Sequence, residues 1–190
     1  MQGRVDQAVR LTDELWQRAD SIQGWLSYAE ALLLAEYVRS PWCEIGCWKG
    51  RSAVILAQSG PGFCVDWFHG MPEHVEEFST EPVFRESVAG LPVTVIAKKF
   101  EDAVDDVPEG LRFLHLDADH SYYGTRRAFE LYAPKLEPGG FLVVHDAWWQ
   151  TGAQQPSAWP DVTIFAHELL GDPEWDHVED AERSAVFRKL

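Results

Sequence analysis

Basic residues are scarce in this chain of 190 residues. It has 16 Lys and Arg against 31 Asp and Glu, which gives a formal net charge of −15 at pH 7. A nucleic-acid backbone and an anionic membrane surface would both repel such a chain, because they carry the same sign of charge. The sequence therefore argues against nucleic-acid and membrane partners and, by elimination, favours a small-molecule ligand.

Cysteine is also scarce, and long hydrophobic runs are missing. The cysteines are Cys43, Cys47 and Cys64, an odd number set in apolar sequence, which is typical of reduced thiols in a cytoplasmic protein. No second pair of ligands at zinc spacing accompanies them. The first residues contain neither the apolar core of a signal peptide nor a membrane-spanning segment. We therefore expect a cytoplasmic protein.

Apolar and aromatic residues are plentiful enough for a packed core. They make up 46% and 13% of the chain, which is typical of a globular protein rather than a disordered one. The length fits one domain, with room for a small appendage. We predict an N-terminal helical extension over residues 1–40 and a main domain over residues 41–190.

Helical and strand-like segments alternate along the main domain. Alternation with nearly continuous apolar strands predicts an α/β fold with a doubly wound parallel sheet covered on both faces. The last two strand-like runs are too close in sequence for a parallel crossover, so they predict an antiparallel terminal hairpin and a mostly parallel sheet of seven strands. The strand-like runs are "WCEIG", "GFCVDW", "PVTVIAK", "LRFLHLDA", "GGFLVVHD", "EWDHVED" and "RSAVFRKL".

Acids and histidines gather where the predicted parallel strands end. Ligands bind at the carboxyl ends of the strands in an open α/β sheet. An acid-lined site there suits a cationic ligand, a metal or ribose hydroxyls, and it does not suit phosphates. The residues at these ends are Glu44, Gly46, Asp66, Phe100, Glu101, Asp117, Asp119, His120, His145 and Asp146.

The turn "GCWKG" has the position of a cofactor-binding loop but an unusual composition. Trp48 stands where a dinucleotide-binding turn needs its second glycine, and its side chain would crowd a pyrophosphate. Gly46 and Gly50 permit a tight turn beside a ligand, although either glycine alone would be an ordinary turn residue. We therefore place Gly46, Trp48 and Gly50 in a cofactor loop that holds something other than a pyrophosphate.

S-adenosylmethionine (SAM) fits this loop, because it carries an amino-acid tail, a sulfonium and an adenosine but no phosphate. Glu44 is predicted to face its ammonium, and Ser52 with the helix-start amides is predicted to meet its carboxylate. Asp66 follows Gly46 by about twenty positions, the spacing of an acid that accepts hydrogen bonds from ribose hydroxyls. The sequence therefore predicts a SAM site at the ends of the first two strands.

The whole pattern resembles the bacterial class I SAM-dependent methyltransferases. It is similar to macrocin and mycinose-type sugar O-methyltransferases, to cephalosporin-hydroxylase-like proteins and, more distantly, to catechol O-methyltransferases. The resemblance implies a Rossmann-like methyltransferase domain over residues 41–190 and a hydroxyl of a small metabolite, of sugar or natural-product type, as methyl acceptor. The matching segments are "IQGWLSYAEALLLAEYV", "EIGCWKGRSAVILA", "VDWF", "LHLDADHSYYGTRRAFELYAPKLEPGGFLVVHDAWW" and "VFRK".

The resemblance also implies roles for the acids and histidines. Metal-dependent relatives hold magnesium with an acid that matches Asp117 and with an acidic pair that matches His145 and Asp146. Magnesium prefers oxygen ligands, so His145 suits a softer divalent cation or only lines the pocket, and Asp119 is an alternative ligand. His120 matches the general base of relatives, and a histidine can accept the proton of a hydroxyl nucleophile. The alternative for His120 is a local hydrogen bond at a helix start. Asp117 would also position the acceptor.

Aromatic residues surround the same strand ends. We predict that Phe100 or Trp67 packs on the adenine, and we assign both of them and Glu101 to the cofactor site. Trp148 and Trp149 follow the last parallel strand and are predicted to border the acceptor pocket. The alternative for each aromatic residue is a place in the core.

Three classes of function remain open from the sequence. The first is a SAM-dependent O-methyltransferase, with N- or C-methylation as variants. The second is another enzyme on this fold, either metal-dependent and hydroxylase-like or a nicotinamide oxidoreductase, although Trp48 and the terminal hairpin argue against the oxidoreductase. The third is a non-catalytic module that binds SAM or a related nucleoside. A homodimer through the N-terminal helices is a further alternative.

Overall fold

The computed structural model describes residues 8–71, 74–75, 78–148 and 159–190. In chain order, the helices and strands are α1 (Asp13–Ser21), α2 (Tyr28–Tyr37), β1 (Trp42–Ile45), α3 (Ala53–Leu56), β2 (Gly62–Asp66), β3 (Gly70–Met71), β4 (His74–Val75), α4 (Glu81–Ser87), β5 (Val93–Ala97), β6 (Leu111–Leu116), α5 (Tyr122–Tyr132), β7 (Leu136–Val144), α6 (Pro160–Leu170), β8 (Trp175–Ala181) and β9 (Ser184–Lys189).

Seven of these strands form one sheet in the order β5-β2-β1-β6-β7-β9-β8. The first five in this order run parallel, β9 is antiparallel to β7, and β8 is the antiparallel edge strand beside β9. The predicted α/β sheet with a terminal hairpin is therefore confirmed. The short β3 and β4 form a separate antiparallel pair.

The two faces of the sheet carry different helices because strand side chains alternate between faces. On β1, Cys43 and Ile45 belong to the core that packs under α5 and α6. Trp42 belongs to the opposite core, together with Leu34 of α2 and Val54 of α3. The N-terminal helices α1 and α2 thus cover the same sheet face as α3, while the boundary at residue 40 stays a prediction.

In the sequence, Ser27 followed by Glu30 three positions later is a capping-box pattern that predicts a helix start, and helix α2 begins there. Ser27 Oγ accepts a hydrogen bond from Glu30 N at 3.2 Å, and Ser27 N donates to Glu30 Oε2 at 2.9 Å, which completes a capping box. The segment "YYGTRRAFELYAPKL" predicts a helix that Pro134 interrupts near its end. Helix α5 indeed ends at Tyr132, and a 3-10 turn follows it, because Pro134 lacks the amide that would continue the helix. None of the described helices has the length and apolarity to cross a membrane.

Candidate active site

The carboxyl ends of the central strands lie at one level, which brings their loops together. Asp117 N donates to the carbonyl of Ile45 at 2.9 Å, and His145 N donates to the carbonyl of Leu116 at 3.0 Å. The parallel ladder thus extends one residue beyond β6 and β7. The first loop residues after β1, β6 and β7 therefore start side by side at the sheet edge that the sequence predicts as the site.

Gly46 allows the loop after β1 to lie directly against the end of β6. Its φ is +89°, and a Cβ atom there would stand 2.0 Å from the backbone oxygen of Asp117. A side chain is excluded both by this contact and by the left-handed conformation. The tight turn predicted at Gly46 is therefore present, and it is closed against Asp117.

Asp66 ties the loop after β1 to the loop after β2. Its Oδ2 accepts hydrogen bonds from Cys47 N at 2.8 Å and Trp48 N at 2.7 Å, and its Oδ1 accepts one from Phe68 N at 2.6 Å. Burial raises the pKa of Asp66, and the three amides act against this effect. Asp66 thus stands at the predicted place with a structural role already, and its contact with a ribose stays a prediction.

Trp48 is accommodated by an aromatic partner from the N-terminal segment. Its ring stacks on Trp25, with the ring centroids 4.7 Å apart and the planes inclined by 22°. Trp48 has a φ of 42°, a conformation that glycine would adopt more readily. Lys49 Nζ lies 4.1 Å from the centroid of the Trp48 ring and donates to Gln23 Oε1 at 2.8 Å. Stacking therefore fixes a tryptophan where a dinucleotide-binding turn would have glycine.

Glu44 lies beneath the surface of the site. It is fully buried, and its Oε1 is 2.8 Å from Nδ1 of the buried His115. Cys64 Sγ lies 3.8 Å from the other carboxylate oxygen. Burial raises the pKa of the Cys64 thiol to about 11 and that of Cys47 well above its usual value, so both thiols are neutral core groups. The predicted contact of Glu44 with a ligand ammonium stays a prediction, which this pairing does not support.

Asp117, His120 and Asp146 form the acid–histidine cluster of the site. His120 Nε2 lies 3.2 Å from Asp146 Oδ2 and 3.6 Å from Asp117 Oδ1. One donor atom from each of the three residues falls within 4.8 Å of the others. The His120 ring also stacks on Trp159, with centroids 4.2 Å apart. The structure thus brings together three residues that the sequence selects from two different strand ends.

His145 is held between carboxylates on both sides of its ring. Nδ1 lies 3.1 Å from Asp117 Oδ1 and 3.3 Å from Asp146 Oδ2, while Nε2 lies 3.4 Å from Glu30 Oε1. The sequence assigns His145 to a metal site with Asp117 and Asp146, and this assignment stays a prediction.

Arg183 joins the same centre from the turn between β8 and β9. Its Nη1 donates to Asp146 Oδ1 at 3.1 Å, its Nη2 lies 3.4 Å from Glu30 Oε2, and Nη2 also donates to the carbonyl of Trp25. Burial acts to raise the pKa of Glu30, but His145 and Arg183 outweigh it and lower the pKa to about 2. The site thus holds three carboxylates and three basic groups. The carboxylates belong to Glu30, Asp117 and Asp146, and the basic groups belong to His120, His145 and Arg183.

These contacts shift the pKa values of the cluster in opposite directions. Burial acts to raise the pKa of Asp117, but His145 and His120 outweigh it and hold that pKa well below its usual range; the same holds for Asp146. Burial acts to lower the pKa of His120, but the two carboxylates outweigh it and raise the pKa to about 9. At neutral pH the ligand-free cluster therefore holds two carboxylates around a protonated His120.

Raising the pH should weaken the folded state through His120. The pKa of His120 rises from 6.5 to about 9 on folding, so its stabilising contribution is complete below pH 6.5 and is lost as the pH passes 9. We expect a loss of about 3 kcal/mol in the free energy of unfolding. Urea unfolding between about pH 6 and pH 10 in a chelator measures it. In His120→Gln the free energy of unfolding should depend less on pH than in the wild type. An equal pH dependence in both proteins would contradict the raised pKa of His120.

The donor set of the acid–histidine cluster fits a divalent cation. It offers carboxylate oxygens from Asp117 and Asp146 and an imidazole nitrogen from His120. Mixed oxygen and nitrogen donors suit a transition-metal ion better than magnesium, which prefers oxygen alone. A cation here would also supply the positive charge that the two carboxylates now take from His120.

The loop after β1 fits a nucleoside without phosphates. Its two basic side chains are engaged elsewhere, since Lys49 bonds to Gln23 and Arg51 Nη2 pairs with Asp20 Oδ1 at 2.6 Å. Trp48, stacked on Trp25, stands at the position where a dinucleotide-binding turn needs its second glycine. The acids at the strand ends instead favour a ligand that carries positive charge and hydroxyl groups, as SAM does.

Three further predicted residues lie in the loops of the site. Gly50 has a φ of +93° and stands against the ring of Phe84, 3.2 Å from where a Cβ would lie. Ser52 precedes α3, and its side chain makes no capping hydrogen bond to that helix. Asp119 Oδ1 accepts from Ser121 N at 2.8 Å before α5, so the alternative metal ligand is engaged in a local turn.

The predicted adenine contacts lie beyond β2 and β5. Trp67 has Lys99 Nζ at 5.1 Å from its ring centroid. Phe100 is half-buried against the core, and its carbonyl accepts from the Tyr132 hydroxyl at 2.7 Å. Glu101 is exposed. Their roles in cofactor binding stay predictions.

The aromatic pair predicted for the acceptor pocket is described only in part. Trp148 is half-buried, its backbone N donates to the carbonyl of Arg183 at 3.1 Å, and its ring meets His167 edge-on with centroids 5.3 Å apart. Trp149 lies outside the described residues. Trp148 therefore borders the hairpin turn that also carries Arg183 to the cluster.

Sequence reasoning misses two residues of this site. Glu30 is recognised only as a capping residue, and nothing in its helical pattern shows that it is fully buried. Arg183 is 153 positions from Glu30 in the chain, so no local pattern connects them. The capping-box motif of Glu30 is the one signal available, and it explains a different pair of hydrogen bonds.

Comparisons with known proteins identify the family. Residues 43–147, more than half of the chain, match the family described as a methyltransferase domain. The chain is 27% identical over 161 residues to the 8-demethyl-8-(2,3-dimethoxy-alpha-L-rhamnosyl)-tetracenomycin-C 4'-O-methyltransferase of Streptomyces olivaceus, covering 68% of this chain. The matched stretch spans 60% of the length of that relative.

Solved structures share the fold over nearly the whole chain. The O-methyltransferase TomG from Streptomyces achromogenes, involved in tomaymycin synthesis and solved with SAM, has a TM-score of 0.65 at 16% identity, over 96% of this chain and 92% of that one. The O-methyltransferase from Bacillus cereus, solved with SAH, has a TM-score of 0.64 at 13% identity, over 95% and 92%. These likenesses confirm the Rossmann-like methyltransferase fold. By its match over residues 43–147, the chain belongs to the methyltransferase-domain family.

Proposed function

We propose that the protein transfers a methyl group from SAM to a hydroxyl of a small metabolite of sugar or natural-product type. The observation that carries the proposal is the acid–histidine cluster of Asp117, His120 and Asp146 beside the Gly46 turn. Family membership supports methyl transfer. The Streptomyces olivaceus relative, named as a 4'-O-methyltransferase of a rhamnosyl-tetracenomycin, supports a sugar-type acceptor.

Each residue of the cluster has a separate role in the proposed transfer. SAM, when bound, supplies a methyl group on a sulfonium, whose carbon–sulfur bond breaks as the bond to the acceptor oxygen forms. His120 Nε2 takes the proton that the acceptor hydroxyl releases. Asp146 and Asp117, at 3.2 and 3.6 Å, stabilise the imidazolium that results and orient its ring.

The loops around the cluster are proposed to position the cofactor. Asp66 holds the turns after β1 and β2 in fixed relation through three backbone amides. The closeness of Gly46 to Asp117 places this turn next to the cluster, where proximity of the two substrates lowers the barrier. Trp67, Phe100 and Glu101 complete the proposed cofactor site from the neighbouring strand ends.

We propose as an alternative that the acid–histidine cluster binds a divalent cation. Asp117 and Asp146 would hold it, and it would supply Lewis-acid polarisation of the acceptor hydroxyl. His120 cannot ligate a cation and accept a proton with the same nitrogen. The binding experiment below therefore includes a chelator.

We also propose a cytoplasmic protein without nucleic-acid or membrane partners, which the net charge of −15 supports. A homodimer remains an alternative. The other functional candidates from the sequence are a hydroxylase-like enzyme and a non-catalytic binder. Family membership argues against the first, and the acid–histidine cluster argues against the second, because a binder does not need a positioned base.

Isothermal titration with SAM and with its demethylated product tests the proposal. The wild type should bind both, and Asp66→Ala should weaken binding by about tenfold or more, because the freed amides release the two loops. Asp13→Ala, which removes an exposed acid of α1, should bind as the wild type does. Each titration is run with magnesium, with manganese and with a chelator. No binding under any condition would exclude the methyltransferase function, and binding without transfer to any hydroxylated acceptor would favour a non-catalytic binder.

A further inference from the structure

Glu30 is a buried ionisable group that the proposed mechanism does not use. It stands in the first turn of α2 and has no exposed surface. Its capping box with Ser27 accounts for one hydrogen bond to its carboxylate. A capping box does not require burial, and a carboxylate removed from water is costly unless it is paired. The burial of Glu30 therefore needs a further explanation.

Three groups from the other end of the chain face this carboxylate. His145 Nε2 lies 3.4 Å from Oε1 and Arg183 Nη2 lies 3.4 Å from Oε2, while Ser184 Oγ donates to Oε1 at 3.2 Å. These residues come from the loop after β7 and from the hairpin of β8 and β9. Glu30 thus connects an N-terminal helix to the last elements of the sheet.

Two of these groups connect Glu30 to the catalytic carboxylates. His145 Nδ1 lies 3.1 Å from Asp117 Oδ1 on the other side of its ring. Arg183 Nη1 donates to Asp146 Oδ1 at 3.1 Å. The His145 ring therefore lies between Glu30 and Asp117, and the Arg183 guanidinium lies between Glu30 and Asp146. Asp117 and Asp146 in turn both face His120.

We infer that Glu30 is a positioning residue that holds His145 and Arg183 and, through them, fixes the Asp117 and Asp146 carboxylates around His120. The inference rests on the proposed function, because it gives Glu30 a part in methyl transfer. Removing its charge leaves the buried His145 and the partly exposed Arg183 with one acceptor fewer, and both are free to reorient toward the catalytic acids. Helix α2, predicted as an extension, thereby belongs to the catalytic centre.

Glu30→Gln tests the inference, because glutamine keeps the size and the capping oxygen but removes the charge. The variant should lower kcat by about tenfold or more, as loss of a supporting partner does, while the KM and Kd for SAM stay within about twofold. Glu36→Gln makes the same change on an exposed position of the same helix and should leave kcat unaltered. Ser27→Ala removes the capping hydroxyl and should lower the unfolding midpoint with kcat retained.

A ligand-free measurement separates this inference from the proposed function. The ring nitrogen shifts of His145, recorded by NMR without SAM, should change in Glu30→Gln and not in Glu36→Gln. Unchanged His145 shifts would overturn the inference, and so would a Ser27→Ala variant that loses as much kcat as Glu30→Gln. If the wild type neither binds SAM nor transfers a methyl group, the proposed function fails by itself, and the His145 shifts still decide whether Glu30 positions the ring.

Discussion

Replacing His120 with alanine should slow methyl transfer by about 10²- to 10⁴-fold, the usual contribution of a general base, while SAM still binds. His120 Nε2 faces both Asp117 and Asp146. His145 faces the same two acids, but its second ring nitrogen faces Glu30, so we expect it to stay in place and not to take over the proton. Turnover is measured as release of the demethylated cofactor, and binding by titration calorimetry. Unchanged turnover would remove His120 as the base.

The pH dependence of the wild type gives the same prediction a second readout. Since the pKa of His120 is raised to about 9, its base form is a minority at neutral pH, and kcat should rise with pH until about pH 9 in the presence of a chelator. His120→Ala should lose this rise. His177→Ala, on the edge strand β8, removes a histidine remote from the cluster and should keep both the rate and the profile.

Replacing Gly46 with alanine should destabilise the protein by about 3 kcal/mol or more. The new Cβ would stand 2.0 Å from the backbone oxygen of Asp117 at a φ of +89°, so either the turn or the end of β6 must move. Both movements displace Asp117 from His120, so transfer activity should fall with stability. Urea unfolding and the turnover assay measure the two effects.

Gly90→Ala is the matched control for this substitution. Gly90 has a φ of +78°, but a Cβ there would meet no atom within 4 Å. It should therefore cost only the conformational strain, about 1 kcal/mol, with activity retained. Equal destabilisation by the two alanines would show that the contact between Gly46 and Asp117 contributes nothing.

The fold follows from the sequence because its signals are local. The apolar runs predict strands buried on both faces, and the short connection before "RSAVFRKL" can only produce an antiparallel neighbour. The segment "EDAVDDV" is the exception: its residues favour a short helix, but the structure has two 3-10 turns there. With so few residues, its backbone follows its neighbours rather than its own helical propensity.

The site follows from the sequence only where strand ends define it. Asp117, His120 and Asp146 are predicted together because parallel strands end at one edge. The partners of Glu44 and Asp66 are not predictable in this way. Glu44 pairs with a histidine of the neighbouring strand, and Asp66 accepts from loop amides, which depends on loop geometry rather than on residue type.

The role of Glu30 shows that contacts between distant parts of the chain are not predictable from the sequence. Its periodicity and capping motif place it correctly at the start of α2. Its contact with Arg183 joins residues 153 positions apart, and such a contact depends on how the N-terminal helix packs against the sheet. A single sequence carries no signal for that distance, whereas it carries strong signals for spacing within one helix.

The edge strand β8 limits how two copies of the chain can associate. Its exposed acids are Asp176, Glu179 and Asp180. Arg188 of β9 pairs with Asp176, and the strand keeps an excess of acidic over basic side chains. A second copy that added its own β8 alongside would place acids opposite acids, which is unfavourable for strand pairing. Repulsion between these acids therefore disfavours strand pairing at the β8 edge of the sheet. If this protein assembles, we expect contacts between helical surfaces rather than a continuous intermolecular sheet through β8.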